Sequence, residues 1–246
     1  MAALERMIGV RNNRTIYRDG VHTVKVFASG TEKADVFREA FKLAAVESVG
    51  MDVPRVQGVE KQDGKWMIVS DYIGGKTLDR LMLENPEDKS RYLAQFVTLH
   101  HEIHTHSVRN IERMSDEVNR LIAASALPAT VRFDLHRRLE EMPKADRLCH
   151  GDFNPTNIVF SQTGKPYVLD WEYACCGDPC ADAALTYLEF CLAGDEAAAE
   201  EYCRLYCELA ECAVSSVYRW LSVMAAALLT GRVLSEREKL LQWIKN

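Results

Sequence analysis

The 246-residue chain has no apolar run long enough to cross a bilayer. The longest, Leu221 to Leu229, falls far short of the roughly 20 residues a spanning helix needs. A basic excess is missing too. The formal net charge is −6 with both signs mixed along the chain, which argues against a nucleic-acid partner or an anionic membrane surface. Met1 to Arg11 lacks the basic start and continuous apolar core of a signal peptide, so a cytoplasmic location is expected. Internal repeats and low-complexity linkers are also lacking. The cysteines lack zinc-site spacing, because Cys175, Cys176 and Cys180 crowd together with no second ligand pair. Without signs of secretion, most of them, such as Cys203 and Cys207 one helical turn apart, read as small buried hydrophobes. Cys149 is the one expected to be open to oxidation or alkylation, from its place beside the most polar motif of the chain.

The histidine run His100-His101-Glu102-Ile103-His104 lacks the H-E-x-x-H order of a metalloprotease, since Thr105 takes the final position. His100 and His104 share a helix face. With no carboxylate positioned beside them, a structural role is preferred to a metal site. The helix expected from Asp88 to about His104 carries Tyr92, Phe96, Leu99 and Ile103 as its apolar stripe.

What is present is chemically pointed. His150-Gly151-Asp152-Phe153-Asn154-Pro155-Thr156-Asn157 spells H-x-D-x-x-x-x-N, and Leu169-Asp170-Trp171-Glu172 follows at the end of a short apolar strand. Phosphoryl transfer needs one carboxylate beside the attacking hydroxyl, and an Asn with a second Asp to hold magnesium. Between the two halves, Ile158-Val159-Phe160 and Tyr167-Val168-Leu169 read as a hairpin around Gly164. Such a hairpin carries Asn157 at its entry and Asp170 at its exit, so its ends meet.

H-G-D-x-x-P-x-N-I followed by L-D-W-E-Y-A-x-x-G-D-P-x-x-D resembles the aminoglycoside phosphotransferase and choline kinase-like family, small-molecule kinases that share the protein-kinase fold. The D-W-E-Y-A form is more similar to choline, ethanolamine and thiamine kinases than to serine/threonine kinases. The resemblance is strong from His150 to Asp182 and rests on order and spacing before that. It implies an α+β, bilobal protein-kinase-like fold. Residues 1–73 would form a small β-rich nucleotide-binding lobe, and residues 74–246 a larger, mostly helical lobe for catalysis and substrate. It also implies that Asp178 braces the active-site loops.

In the N-terminal third, Arg14 to Arg18, Val21 to Phe27 and Trp66 to Tyr72 are strand-like, with Asp19-Gly20 as a hairpin turn. Lys25 stands within an apolar strand. Alternation alone would leave it on the wet face, but the downstream motif favours a lysine that anchors phosphates. Its acidic partner would come from the next helix, about Glu32 to Val49, with Glu39 on the packed face and Glu47 in reserve. Protein kinases cover phosphates with a glycine-rich loop, yet Arg11-Asn12-Asn13-Arg14 contains no glycine. Asn side chains, Arg14 or magnesium are the substitutes available. Ile68 to Gly75 resembles the hinge, where the Asp71 carbonyl and Ile73 amide could meet an adenine edge before Gly74-Gly75 turns the chain.

The reading that results is an ATP- and magnesium-dependent phosphotransferase acting on a hydroxyl of a small molecule such as choline, ethanolamine, thiamine or an aminoglycoside. Asp152 would be the catalytic base, Asn157 and Asp170 the metal ligands, and Lys25 with Glu39 the phosphate anchor. His150 would brace the loop. Asp182, Glu189, Asp195 and Glu196, with Tyr173, Tyr187, Tyr218 and Trp220, suggest an acidic, aromatic approach suited to a cationic acceptor. Two alternatives stay open: an atypical protein kinase, and a catalytically weak ATP-binding regulatory protein.

Overall fold

Asp19-Gly20 reverses the chain as its composition demands, with Gly20 at a φ of 59° where a side chain would be strained. The computed structural model of the chain describes residues 4–11, 14–230 and 232–244. The strands are β1 (Arg6–Arg11), β2 (Arg14–Asp19), β3 (His22–Val26), β4 (Val56–Gln62), β5 (Lys65–Asp71), β6 (Gly75–Thr77), β7 (Arg147–Cys149), β8 (Ile158–Ser161), β9 (Pro166–Val168) and β10 (Cys175–Gly177). The helices are α1 (Lys33–Glu47), α2 (Leu78–Glu84), α3 (Lys89–Thr105), α4 (Met114–Ala124), α5 (Ala129–Glu141), α6 (Pro179–Leu192), α7 (Glu196–Leu209), α8 (Val214–Tyr218), α9 (Leu221–Leu228) and α10 (Leu234–Ile244).

Contacts divide the chain into two compact units, Met1–Leu81 with Thr156–Glu172, and Met82–Pro155 with Tyr173–Asn246. The first unit thus takes in the hairpin as well as the segment expected over residues 1–73.

In the first unit a five-stranded antiparallel sheet has the order β1-β2-β3-β5-β4. The three strand-like segments of the sequence became β2, β3 and β5. β4 was not legible, because Val56-Gln57-Gly58-Val59-Glu60-Lys61-Gln62 is mostly polar; it forms by pairing with β5 at the sheet edge, where charges stay wet. Ile16, Lys25 and Ile68 stand opposite one another in register, so Lys25 shares a sheet face with Ile68. Ile68 packs with Phe27, Val36 and Ala40, the last two from α1. Lys25 therefore points to the helix-covered face, not to solvent.

β8 and β9 form the expected hairpin, and β6 joins them in the order β6-β8-β9. This corrects the reading of Gly74-Gly75 as a plain turn. Gly75 pairs with Ser161, and a Cβ there would lie 2.0 Å from the Phe160 carbonyl oxygen. No bulkier residue fits.

In the second unit, α6 and α9 are buried on nearly every side, as their Ala-rich apolar sequences dictate. Gly177-Asp178-Pro179 starts α6 as expected, with the Asp178 side chain accepting the Cys180 amide at 2.8 Å. α3 buries Tyr92, Phe96 and Ile103, and His100 and His104 fall on the same buried face. Phe96 stacks on Phe153, in the loop after β7, with ring centroids 4.5 Å apart. Among the described residues, no helix is long and apolar enough to cross a membrane.

Candidate active site

Within the first unit, the face of the sheet that carries Lys25 gathers six charged side chains. Lys25 Nζ donates to Glu39 Oε1 at 2.6 Å and to Asp170 Oδ1 at 3.0 Å. Glu47, the reserve partner, is committed elsewhere, accepting the Val56 amide at 2.6 Å. Burial pulls the Lys25 pKa down, but Asp170 and Glu39 outweigh it and the ammonium is held above its usual value. Burial also dominates at Glu39, whose pKa is raised despite Lys25 and Arg14.

Asp170 owes its place to the hairpin. The Leu169 amide donates to the Asn157 carbonyl at 2.8 Å, so the two ends of the hairpin meet. Asp170 then takes a left-handed φ of 60°, tolerated by Asp at a cost of roughly 1–2 kcal/mol. The Trp171 indole anchors the next turn on the Val168 carbonyl at 3.0 Å. Asn157 itself is buried at the hairpin entry.

Sequence reasoning named Arg14 only as one possible cover for the phosphates and did not name Lys42. Arg14 is hydrogen-bonded to the Glu172 carboxylate, and its other terminal nitrogen lies 3.1 Å from Glu39 Oε2. Lys42 holds the Glu172 carbonyl at 3.0 Å. The signals were the glycine-free loop and the Glu that replaces a glycine after Asp170-Trp171. Asn12 and Asn13 lie outside the described residues. At the expected hinge, Asp71 ends β5; its amide donates to the Arg55 carbonyl at 3.0 Å, and its carboxylate accepts from Gln57 at 2.7 Å. Ile73 follows, outside regular structure.

The second unit holds the loop His150–Pro155. The Asp152 amide donates to His150 Nδ1 at 3.2 Å, and Asn154 Nδ2 donates to Asp152 Oδ1 at 3.0 Å. Gly151 has a φ of 79°, and a Cβ there would approach the Tyr173 carbonyl oxygen to 2.5 Å. The loop is fixed from behind by Asp182, which is fully buried. Its Oδ2 accepts the His150 amide at 2.6 Å, and its Oδ1 accepts the Gly151 amide at 2.9 Å. His100 Nε2 and His104 Nε2 reach the same Oδ2 at 3.1 and 3.2 Å. Tyr202 and Tyr206 hydroxyls meet the Nδ1 atoms of His100 and His104, each at 2.7 Å. The network is satisfied if both imidazoles are neutral, donating through Nε2 and accepting from tyrosine at Nδ1.

The sequence offered no carboxylate near the histidines; α6 supplies one from far along the chain. Even so, each of these ring nitrogens already has a hydrogen-bond partner, which keeps the structural role sufficient. Burial first, then His104, lowers the His100 pKa to about 3. Hydrogen bonds from both histidines overcome burial at Asp182 and hold it well below the usual carboxylate range. The unfolded chain protonates this histidine near 6.5, the folded chain only near 3, so protons favour the unfolded state between those values. Asp182 contributes stability above its unfolded value of 3.8, and that contribution is lost as the pH falls below it. Stability should therefore drop as the pH falls from about 6.5 to about 3, by at most about 5 kcal/mol from His100. Urea midpoints followed from about pH 7 to about pH 4 check this, and a level profile would contradict it.

Three further expectations need correction. Asp182 is no entrance residue, because it is sealed among its donors. Glu189 is neutralised by Arg232, while Tyr187 and Trp220 are buried, which leaves Tyr173 and Tyr218 exposed. The acidic, aromatic approach is thus not assembled from those residues. Cys149 is buried, and burial pushes its thiol well above the ordinary value, so it is not a reactive thiol.

Comparison with known proteins adds what the geometry alone does not. The model of the phosphotransferase enzyme family (APH) matches residues 8–221. The chain belongs to this family. It is a phosphotransferase, and the strand-and-helix arrangement above is a protein-kinase-like fold. Choline kinase LicA from Streptococcus pneumoniae superposes with a TM-score of 0.68 at 19% identity, over 98% of this chain and 92% of that one. Aminoglycoside-3'-phosphotransferase of type VIII gives 0.65 at 18% identity, over 89% and 93%. A thermostable mutant of aminoglycoside phosphotransferase APH(4)-Ia, in ternary complex with AMP-PNP and hygromycin B, gives 0.67 at 17% identity, over 97% and 89%. No curated protein matches the sequence.

Proposed function

We propose that this phosphotransferase moves the γ-phosphate of ATP, as its magnesium complex, to a hydroxyl of a small molecule. The observation that carries the reading is the Glu39–Lys25–Asp170 chain of ion pairs, 2.6 and 3.0 Å long. It joins the helix-borne acid, the strand-borne lysine and the hairpin aspartate that phosphoryl transfer from a nucleotide requires. In this reading residues 1–73 form the nucleotide lobe, with the adenine edge against the Asp71 carbonyl and the Ile73 amide. Residues 74–246 supply the acceptor site and Asp152.

The residues present fit magnesium. Asp170 gathers with Glu39 and Glu172 into a group of hard oxygen donors within 4.8 Å of one another, and Asn157 stands at the other end of the same hairpin. Asp170 and Asn157 would hold the ion, which when bound neutralises phosphate charge and orients the transferred group. The protein does the rest by positioning. Lys25 orients phosphate oxygens, fixed in direction by Glu39. Asp152 accepts the acceptor's hydroxyl proton, and it can aim because Asn154 and the Asp182-held amides of His150 and Gly151 fix its loop.

Lys25→Ala should lower kcat/KM with ATP by about 10- to 100-fold, the range for losing one charge-assisted contact. Steady-state kinetics check it, and an unchanged value would remove Lys25 from the site.

For the acceptor, the structural neighbours act on choline and aminoglycosides, and these with ethanolamine and thiamine are the compounds we propose to screen. Eight cysteines with no disulfide between them suit a reducing, cytoplasmic setting. Purified protein with ATP and magnesium, assayed against these acceptors and simple sugars, tests the reading. ADP release that depends on one of them supports it, and no acceptor-dependent release from any of them counts against it.

A further inference from the structure

The segment between β1 and β2 lacks the glycines of a phosphate-covering loop of the glycine-rich kind. Arg11 pairs directly with Arg14, leaving only Asn12 and Asn13 to connect the strands, and none of the four is glycine. A chain that cannot lay glycine amides along a triphosphate must meet its charge with side chains. Arg14 is the cation this turn delivers. Its guanidinium lies 5.1 Å from the centre of the Phe27 ring and meets Glu39 and Glu172, in the cluster that also holds Lys25 and Asp170.

The way Arg14 is held there is informative. It is bonded to Glu172, next but one in sequence to Asp170. Its second contact, to Glu39 Oε2 at 3.1 Å, is close enough for attraction, yet that oxygen has no aligned hydrogen bond. Glu39 has its aligned bond from Lys25. Three carboxylates thus gather around Arg14 and Lys25, and a third cation, Lys42, takes the Glu172 carbonyl. The side chain is 18% exposed, at the margin of the core and not sealed inside it.

We propose that Arg14 is a phosphate-binding residue, clamped by Glu172 in the nucleotide-free protein and exchanged onto the nucleotide phosphates when they arrive. The inference rests on the ATP reading above. The exchange swaps one anionic partner for another, so the guanidinium stays paired throughout, and its planar fork suits phosphate as well as carboxylate. Glu172 competes with the phosphates for Arg14 and lowers the apparent affinity by the fraction of time it holds the side chain. Trp171, anchored on Val168, keeps Glu172 within reach.

Calorimetric titration with ATP, ADP and AMP tests this on the full chain, with thermal melts of each variant to show that it folds. Arg14→Ala should weaken ATP by about 10- to 100-fold, ADP less and AMP hardly at all, because the lost partner is a phosphate. Arg14→Lys should recover part of the loss. Measured with EDTA to remove any role of metal, Glu172→Gln should tighten ATP a few-fold in the wild-type background and not at all in Arg14→Ala. Equal weakening of all three nucleotides, no weakening, or a Glu172→Gln effect that does not depend on Arg14 would each overturn the proposal. Failure of the wild type to bind ATP would instead sink the nucleotide reading on which it rests.

Discussion

Asp152→Ala should cut phosphoryl transfer by roughly 10²–10⁴-fold, the usual range for a general base, while leaving ATP–magnesium able to stabilise the fold. The expectation follows from where the carboxylate sits. Asp152 is half-buried, its Oδ1 accepts Asn154, and its amide is tied to His150 Nδ1, so backbone and side chain are both aimed. Asp152 is not among the buried core residues, and the variant should fold. A ligand that binds only the native state stabilises it by about 2.7 kcal/mol at a hundredfold excess over Kd. Asp152→Ala should retain that shift in a thermal melt with ATP and magnesium. Asp170→Ala, which removes a partner of Lys25 as well as the proposed metal ligand, should lose its magnesium-dependent part together with activity. Equal loss of the shift in both variants would contradict the separate roles.

Asp182→Ala should instead cost stability, on the order of 3–5 kcal/mol, as expected when a buried charge is taken from the groups built around it. Two backbone amides and two imidazoles converge on this carboxylate within 3.2 Å, and each would be left buried with an unmet donor. Asp182→Asn keeps one acceptor oxygen, enough for one of the two amides, and loses the charge while leaving less of the network unmet than Ala, so its cost should be smaller while turnover still falls. Urea unfolding of both variants checks the order. A near-normal Asp182→Ala midpoint would mean that the network is ornamental.

Legibility in the sequence followed chemical specificity. The meeting of Asn157 and Asp170 could be foreseen because they flank a short hairpin, and hairpins are local. Lys25 could be found only through the downstream motif, since strand alternation by itself gave the wrong face until α1 covered it. β4 stayed hidden because an edge strand needs no apolar pattern of its own. Asp182 was misread as an entrance residue because its partners come from α3 and the loop after β7, far apart in the chain, and no local pattern shows that an acid will be buried. The pairing of Arg14 with Glu172 was hidden for a similar reason. One is a charge in a turn and the other a charge after a motif, and only the fold brings them together.

The most direct test is phosphorus NMR of the wild-type protein with ATP, magnesium and the acceptor that emerges from the screen. The account predicts a new phosphomonoester signal that grows as ADP grows, in equal amount, and that is absent over the same time with Asp152→Ala. ATP that binds yet yields only inorganic phosphate, or nothing at all, with every acceptor tried would contradict it.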